Sequence, residues 1–261
     1  MKNIKQPLFC IKIGGSVITN KTVPYTARVD VIREIAKTLK KVKLPLLISH
    51  GVGSFAHTSA KQYGGKNGYK NKWGIAKVAR DVMEINNIVM NIFIEEKLPA
   101  VSFSPRSFLI TEDGNVKNAL FEPITEALDQ GLIPVIYGDV IWDVHQKTTI
   151  YSGETSLNLL CSYLQRNNYT ISKIVQLCNV DGVLNAEKEI IPDITNDNWH
   201  DVKKYIESLI VADVTGGMGH KVEAALLMTK YGIQTWLMNG TNPTALENVL
   251  KGKPVKGTVI R

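Results

Sequence analysis

No stretch of this chain approaches the roughly 20 consecutive apolar residues that a membrane-spanning helix needs, so a membrane protein is not expected. A secretory signal is missing too. The charged start, Met1-Lys2-Asn3-Ile4-Lys5, leads to an apolar run from Leu8 that is broken at Lys12 and ends in glycines, which predicts a cytoplasmic protein. Cysteine is scarce: Cys10, Cys161 and Cys178 are far apart, lie in apolar surroundings and show no CxxC spacing. That argues against a disulfide framework and against a zinc site, and predicts buried reduced thiols. Linkers of Gly, Pro or Ser and internal repeats are lacking, which predicts one domain spanning 1–261 with two lobes. What is present is ordinary globular material: 261 residues, 44% hydrophobic and 21% charged, enough for a sizeable core and unlike disordered or coiled-coil chains.

The net charge of +7 fits nucleic acid, an anionic small molecule or only a lysine-rich surface. The basic run Lys37 to Lys43 falls on a helix whose Val29, Ile32, Ile35, Leu39 and Val42 recur every three or four positions, so those lysines are its solvated face. Aromatic and basic residues do not interleave as in single-strand binders, and no nucleic-acid partner is expected.

Apolar segments at Leu8–Ile13, Leu46–Ser49, Ala100–Phe103, Ile133–Tyr137, Ile174–Cys178 and Gln234–Met238 read as buried strands. Helical periods lie between them, most clearly from about Ile75 to Glu96, where Val78, Val82, Ile85, Val89 and Ile92 mark one face. Strands apolar throughout and separated by helices predict a three-layer αβα sandwich with a mostly parallel central sheet. Lys147–Thr149 reads as a hairpin tip, and Asn185–Asp201 as an irregular excursion. In such sheets chemistry belongs after the strands, at their carboxyl ends.

Three glycine loops sit there. The first strand runs into Lys12-Ile13-Gly14-Gly15-Ser16, then Thr19-Asn20-Lys21, where paired glycines can close backbone N–H groups around an oxyanion beside a fixed positive charge. A plain strand-to-helix turn with a stray lysine explains that segment equally well in isolation. The second strand is followed by His50-Gly51-Val52-Gly53-Ser54-Phe55-Ala56-His57, which as G-x-G-x-x-A also fits a dinucleotide fingerprint. That reading fails on context, because the loop follows the second strand and the residues near 67–73 hold no acid for a ribose. A second anion cradle, closed by His57, is the better reading. The third loop, Asp213-Val214-Thr215-Gly216-Gly217-Met218-Gly219-His220-Lys221, opens a helix, where unpaired amides and the dipole favour an anion. Three anion cradles point to a substrate with several phosphates.

The motifs Lys12-x-Gly14-Gly15-Ser16-x-x-Thr19-x-Lys21, His50 to His57, Gly138-Asp139-Val140, Ser152-Gly153-Glu154, Val180-Asp181-Gly182-Val183 and Asp213 to Lys221 span nearly the whole chain. In these the sequence resembles the amino acid kinase superfamily, and within it the archaeal-type isopentenyl phosphate kinases. The resemblance implies the amino acid kinase fold, ATP and Mg2+ as cofactors, isopentenyl phosphate as small-molecule acceptor and a homodimer built from the N-terminal half. It also implies an acceptor-binding lobe at about 1–170 and a nucleotide-binding lobe at about 171–261. A fosfomycin-type kinase, or another small phosphate or phosphonate kinase of the same fold, is the alternative.

By the same resemblance, Lys12 and Lys221 flank the transferred phosphoryl group, Lys21 meets its developing charge, and His57 completes the catalytic set. ATP is contacted by Lys12, Gly14, Gly15, Ser16, Gly53, Asp181, Gly216, Gly217 and Lys221, and the acceptor by Gly51, Val52, His57, Gly138, Asp139 and Gly153. Asp139 is expected to orient Lys12 or Lys221 by an ion pair. Magnesium is expected on phosphate oxygens and water, with no protein ligand. Val52 and Ala56 stand where the family usually has glycine, and Glu154-Thr155 where it has aspartates. The hydrocarbon of the acceptor requires an apolar floor, expected from Val78, Val82, Met83, Ile85 and Ile92 of the long helix.

Overall fold

Alternation along the first strand, Leu8–Ile13, decides what each face of the central sheet carries. Leu8 and Cys10 pack with Leu157, Leu160, Cys161 and Leu164 on one side, whereas Ile11 and Ile13 pack with Ile32, Ile35, Leu39, Ile85 and Val89 on the other. Lys12 therefore continues the first face, at the carboxyl end. The computed structural model from which these contacts come describes residues 6–65, 68–69, 71–209 and 217–261.

The sheet has eight strands, in the order Asp193–Ile194, Thr258–Ile260, Thr235–Asn239, Ile171–Cys178, Leu8–Ile13, Leu46–His50, Ile133–Tyr137 and Ala100–Ser102. Every pairing from Thr235–Asn239 across to Ala100–Ser102 is parallel. Thr258–Ile260 runs antiparallel to Thr235–Asn239. From Leu8–Ile13 the chain winds outward in one direction, and from its neighbour Ile171–Cys178 in the other, which makes the gap between their carboxyl ends the switch point of the fold. Helices Val29–Val42, Lys72–Glu95 and Pro243–Leu250 supply the core on one face, and Glu122–Asp129 and Gly153–Arg166 on the other. This is the αβα sandwich anticipated from the apolar runs.

Other features depart from the sequence reading. A second, four-stranded sheet is formed by Lys147–Tyr151, Asp139–Asp143, Leu109–Glu112 and Asn115–Ala119. Its hairpin turns at Val144–Gln146, ahead of the expected Lys147–Thr149 tip, and Lys147 already pairs with Asp143. The span Asn185–Asp201 is not irregular throughout: Asp193–Ile194 joins the main sheet, and the helix Trp199–Leu209 begins within it. The long helix starts at Lys72 because Asn71 caps it, its side chain accepting from Gly74 N at 2.8 Å. All three cysteines are free and buried, with Cys10 and Cys161 Sγ atoms 3.4 Å apart.

Candidate active site

Register places three polar residues side by side at the carboxyl end of the sheet. Lys12 lies opposite Ser49 on one neighbouring strand and Gln176 on the other, within strands otherwise almost wholly apolar. Such residues need partners, because an unpaired buried charge is strongly unfavourable. The helix Gly153–Arg166 provides them. Its cap, Ser152 Oγ, accepts from Thr155 N at 3.0 Å, and Ser49 Oγ donates to Gly153 O at 2.8 Å, fixing the first turn above the strand ends. Glu154 then reaches down to form an ion pair with Lys12, which is only 4% exposed, and accepts from Gln176 Nε2 at 3.4 Å. Burial alone would push the Glu154 carboxyl up, but the Lys12 ammonium beside it, helped by Lys221, holds it at about 2. Lys221 is half-buried on the helix Gly217–Thr229, donates from Nζ to Gly217 O at 2.9 Å, and lines one small cavity with Lys12, Glu154 and Gln176.

The first two glycine loops interlock. A Cβ on Gly15 would come within 2.5 Å of Gly53 N, and one on Gly51 within 2.5 Å of Gly15 N. Gly53 has φ +48°, and a side chain there would overlap Thr19 Oγ1. Thr19 is the staple between the loops, donating to Gly15 O at 2.7 Å and accepting from Ser54 N at 3.0 Å. Gly14 donates to Leu177 O at 2.9 Å, and Ser16 is half-buried on the turn that follows. Val52 has φ −99°, so its side chain is tolerated in the glycine loop. Gly138 and Gly153 close the same corner, a Cβ on the former lying 3.3 Å from the amide nitrogen of the latter. Ser54 Oγ is buried without a partner among the described residues. A cradle with no room for side chains and a spare buried hydroxyl suits phosphate oxygens.

His57 lies exposed on the helix Gly53–Tyr63 that leaves this cradle, and Lys21 is exposed on the loop after Thr19. Desolvation by the surrounding protein lowers the His57 pKa, and the ammonium groups of Lys21 and Lys61 lower it further. Lys21 is thus close enough to His57 to be felt.

Two expectations change. Asp139 pairs with neither Lys12 nor Lys221: it receives Arg106 Nε at 3.0 Å and Ser104 Oγ at 2.9 Å, and Arg106 Nη2 stands 2.8 Å from its other oxygen. It opens the second sheet and faces the loop after Ala100–Ser102, so the orienting carboxylate on Lys12 is Glu154 instead. The apolar floor also narrows. Val78 and Val82 cluster with Ala56, Tyr137 and Val140 beside Val52, whereas Ile85 and Ile92 belong to the main core and Met83 is 49% exposed. Asp181 sits after Ile171–Cys178, holding Asn239 Nδ2 at 2.9 Å and Lys256 Nζ at 2.8 Å. Gly217 opens its helix as expected, while Gly216 and the loop before it lie outside the described residues. Sequence reasoning missed Gln176 and Arg106; the former was signalled by a polar residue within the apolar run Ile174–Cys178.

A parallel αβα sandwich that gathers interlocked glycine loops and lysines at its switch point is built to bind phosphate groups. The Amino acid kinase family matches residues 7–239, and the chain belongs to that family. It is 30% identical to the isopentenyl phosphate kinase of Methanocaldococcus jannaschii, over 97% of this chain and 98% of that protein. Identity to the isopentenyl phosphate kinase of Thermoplasma acidophilum is 32%, over 97% and 100%. Among solved structures, an isopentenyl phosphate kinase superposes with a TM-score of 0.79 at 27% identity, covering 97% of this chain and 100% of that one.

Proposed function

We propose that this chain is an ATP-dependent kinase that converts isopentenyl phosphate to isopentenyl diphosphate. The observation carrying this reading is the site itself: a glycine cradle with His57 on its outgoing helix and Lys12 paired to Glu154 beside it, in a chain alike end to end with isopentenyl phosphate kinases. An oxygen of the acceptor phosphate attacks the γ-phosphorus of ATP; the new P–O bond forms as the bond to the β,γ-bridging oxygen breaks and ADP departs. Little covalent work falls to the protein, and catalysis is positioning and neutralisation of charge.

In this reading Lys12 and Lys221 flank the moving phosphoryl group. An ammonium carries three donors, so Lys12 keeps others after Glu154 takes one, and the ionised Glu154 fixes its direction. Lys21 meets charge as it develops. Amides near Gly14, Gly15, Ser16, Gly53, Gly216 and Gly217 receive nucleotide phosphates, with Asp181 at the nucleoside side. Gly51, Val52, Gly138, Gly153 and His57 receive the acceptor, and the cluster around Val82 its hydrocarbon. Mg2+, held by phosphate oxygens and water, would spread the charge of the transferred group. A homodimer and the two lobe assignments, with the acceptor at about 1–170 and the nucleotide at about 171–261, complete the proposal. A coupled assay with ATP and isopentenyl phosphate, dimethylallyl phosphate or fosfomycin tests it. Turnover of isopentenyl phosphate is expected; turnover of fosfomycin alone would overturn the substrate.

A further inference from the structure

Lys21 stands on a short excursion, residues 20–26, between the first glycine turn and the helix Val29–Val42. Backbone closes its base: Asn20 N donates to Thr26 O at 2.9 Å, Arg28 N to Ile18 O at 2.7 Å, and Thr19 pairs with Ala27. Asn20 Oδ1 accepts from Thr22 N at 2.9 Å and Thr22 Oγ1 at 2.8 Å, bending the chain around Lys21. Lys21 itself is exposed, with no ion-pair partner among the described residues. A cation that serves the transfer site from such a position would have to be held by something other than its own contacts.

The far arm of the excursion turns at Tyr25, whose φ of +53° is uncommon for a bulky residue and is sustained by what the side chain touches. Its hydroxyl donates to Asp81 Oδ2 at 3.0 Å, and its ring stands edge-on to Phe55, with centroids 5.8 Å apart. Phe55 lies two residues before His57 on the same helix. Asp81 belongs to the long helix and its side chain is 0% exposed, with Lys77 Nζ 2.6 Å from both oxygens and Arg80 at 3.5 Å. Lys77 also lies 4.9 Å from the Tyr25 ring centroid. A fully buried carboxylate is costly unless paired and hydrogen-bonded, and Asp81 has no contact with the glycine cradle. Among the described residues its partners are two cations of its own helix and one group from elsewhere: Tyr25.

We infer that Asp81, acting through the Tyr25 hydroxyl, is a positioning residue for Lys21: it pins the excursion to the long helix and to the His57 helix, so that the Lys21 ammonium is held over the transfer site. This rests on the reading of Lys21 as the cation that serves the transferred phosphoryl group. Tyr25→Phe is the clean probe, because it keeps the ring against Phe55, removes only the hydroxyl and lies at a partly exposed position. Its kcat should fall roughly tenfold, since a small misplacement of a catalytic group is enough for that. KM for both substrates should stay within about twofold, the pattern of a lost transition-state interaction. Asp81→Asn should reproduce the phenotype.

Two further readouts separate positioning from general damage. On a Lys21→Ala background, Tyr25→Phe should cause no additional loss. In limited trypsin digestion followed by mass spectrometry, cleavage after Lys21 should quicken several-fold in Tyr25→Phe at unchanged Tm. A tenfold loss that persists without Lys21, or a rise in KM with kcat intact, overturns the inference. Unchanged cleavage after Lys21 overturns it whatever the enzyme phosphorylates. Accelerated cleavage in a chain inactive on isopentenyl phosphate would support the pin and reject the substrate.

Discussion

At the scale of single residues, the site depends on charges kept in definite states. Desolvation and the Lys21 and Lys61 ammonium groups lower the His57 pKa, which favours the neutral ring in the free protein, and in the proposed reading that ring offers an N–H to the acceptor. In that reading a bound phosphate dianion would favour the protonated ring, so the group would strengthen as the acceptor arrives. His57→Ala should therefore raise the isopentenyl phosphate KM at least tenfold, as loss of a charged hydrogen bond worth about 1.5–3 kcal/mol requires, and leave the ATP KM nearly unchanged. Steady-state kinetics with each substrate varied in turn check this, and an increase confined to ATP would contradict it. Glu154 works in the opposite sense. Its carboxyl, at about 2 in the folded chain against an ordinary 4.5, binds fewer protons folded than unfolded between those values. Its contribution is thus complete above about pH 5 and is lost as pH falls from 4.5 towards 2. Glu154→Gln leaves Lys12 buried without its counter-charge and should cost about 3 kcal/mol at pH 7. Urea unfolding of both proteins at pH 7 and pH 3.5 should show that gap shrinking in acid; a gap independent of pH would mean that Glu154 acts by packing alone.

At the scale of elements, the long helix Lys72–Glu95 meets several parts of the molecule at once. Asp81 holds the Lys21 excursion, Val82 faces the cluster beside the glycine cradle, and Asn86 Oδ1 lies 3.2 Å from His50 Nε2, whose ring stacks on Tyr137. Val82 is 1% exposed in that cluster, whereas Met83 turns outward, so truncation of Val82 should deepen the proposed acceptor pocket. Val82→Ala should raise the geranyl-to-isopentenyl phosphate ratio of kcat/KM about tenfold, or about 1.4 kcal/mol. A folded, active variant with the parent ratio would place the hydrocarbon elsewhere. This helix was legible in the sequence because its apolar face keeps a strict spacing over many turns, and six of the eight strands of the main sheet were legible as apolar runs, whereas the short strands Asp193–Ile194 and Thr258–Ile260 at one edge were not. The second sheet was not. Leu109–Glu112 alternates buried and exposed residues, Asn115–Ala119 is exposed almost throughout, and Trp142 and Ile110 face solvent, so no apolar run marks them. Pairing across the chain was equally hidden. Lys12 and Glu154 are 142 positions apart, and only the sheet register with the Ser152 cap brings them together. The ion-pair partner of Asp139 was hidden for the same reason, since nothing local shows that Arg106, and not Lys12 or Lys221, awaits it.

At the scale of the whole molecule, the two halves of the chain, about 1–170 and 171–261, share one sheet rather than meeting at a surface. Leu8–Ile13, at the start of the first half, is paired along its length with Ile171–Cys178, which begins the second, and with Leu46–His50 on its other side. Unfolding either lobe alone would strip a central strand of hydrogen bonds on one edge and open the core clusters that Leu8, Cys10, Ile11 and Ile13 join on both faces. Exposed central strands and apolar surface of that extent are strongly unfavourable, so the two lobes should melt together. Calorimetry should then show one transition whose van't Hoff and calorimetric enthalpies agree. Since a ligand that binds only the folded chain stabilises it by RT ln(1 + [L]/Kd), ATP at about 100 Kd should add about 2.7 kcal/mol. For a chain of this size that moves Tm by roughly 5–10 °C. Isopentenyl phosphate, although read as bound in the other lobe, should move the same single transition. Two transitions, with ATP shifting one and the acceptor shifting the other, would show that the lobes fold as separate units and that the shared strand does not couple them.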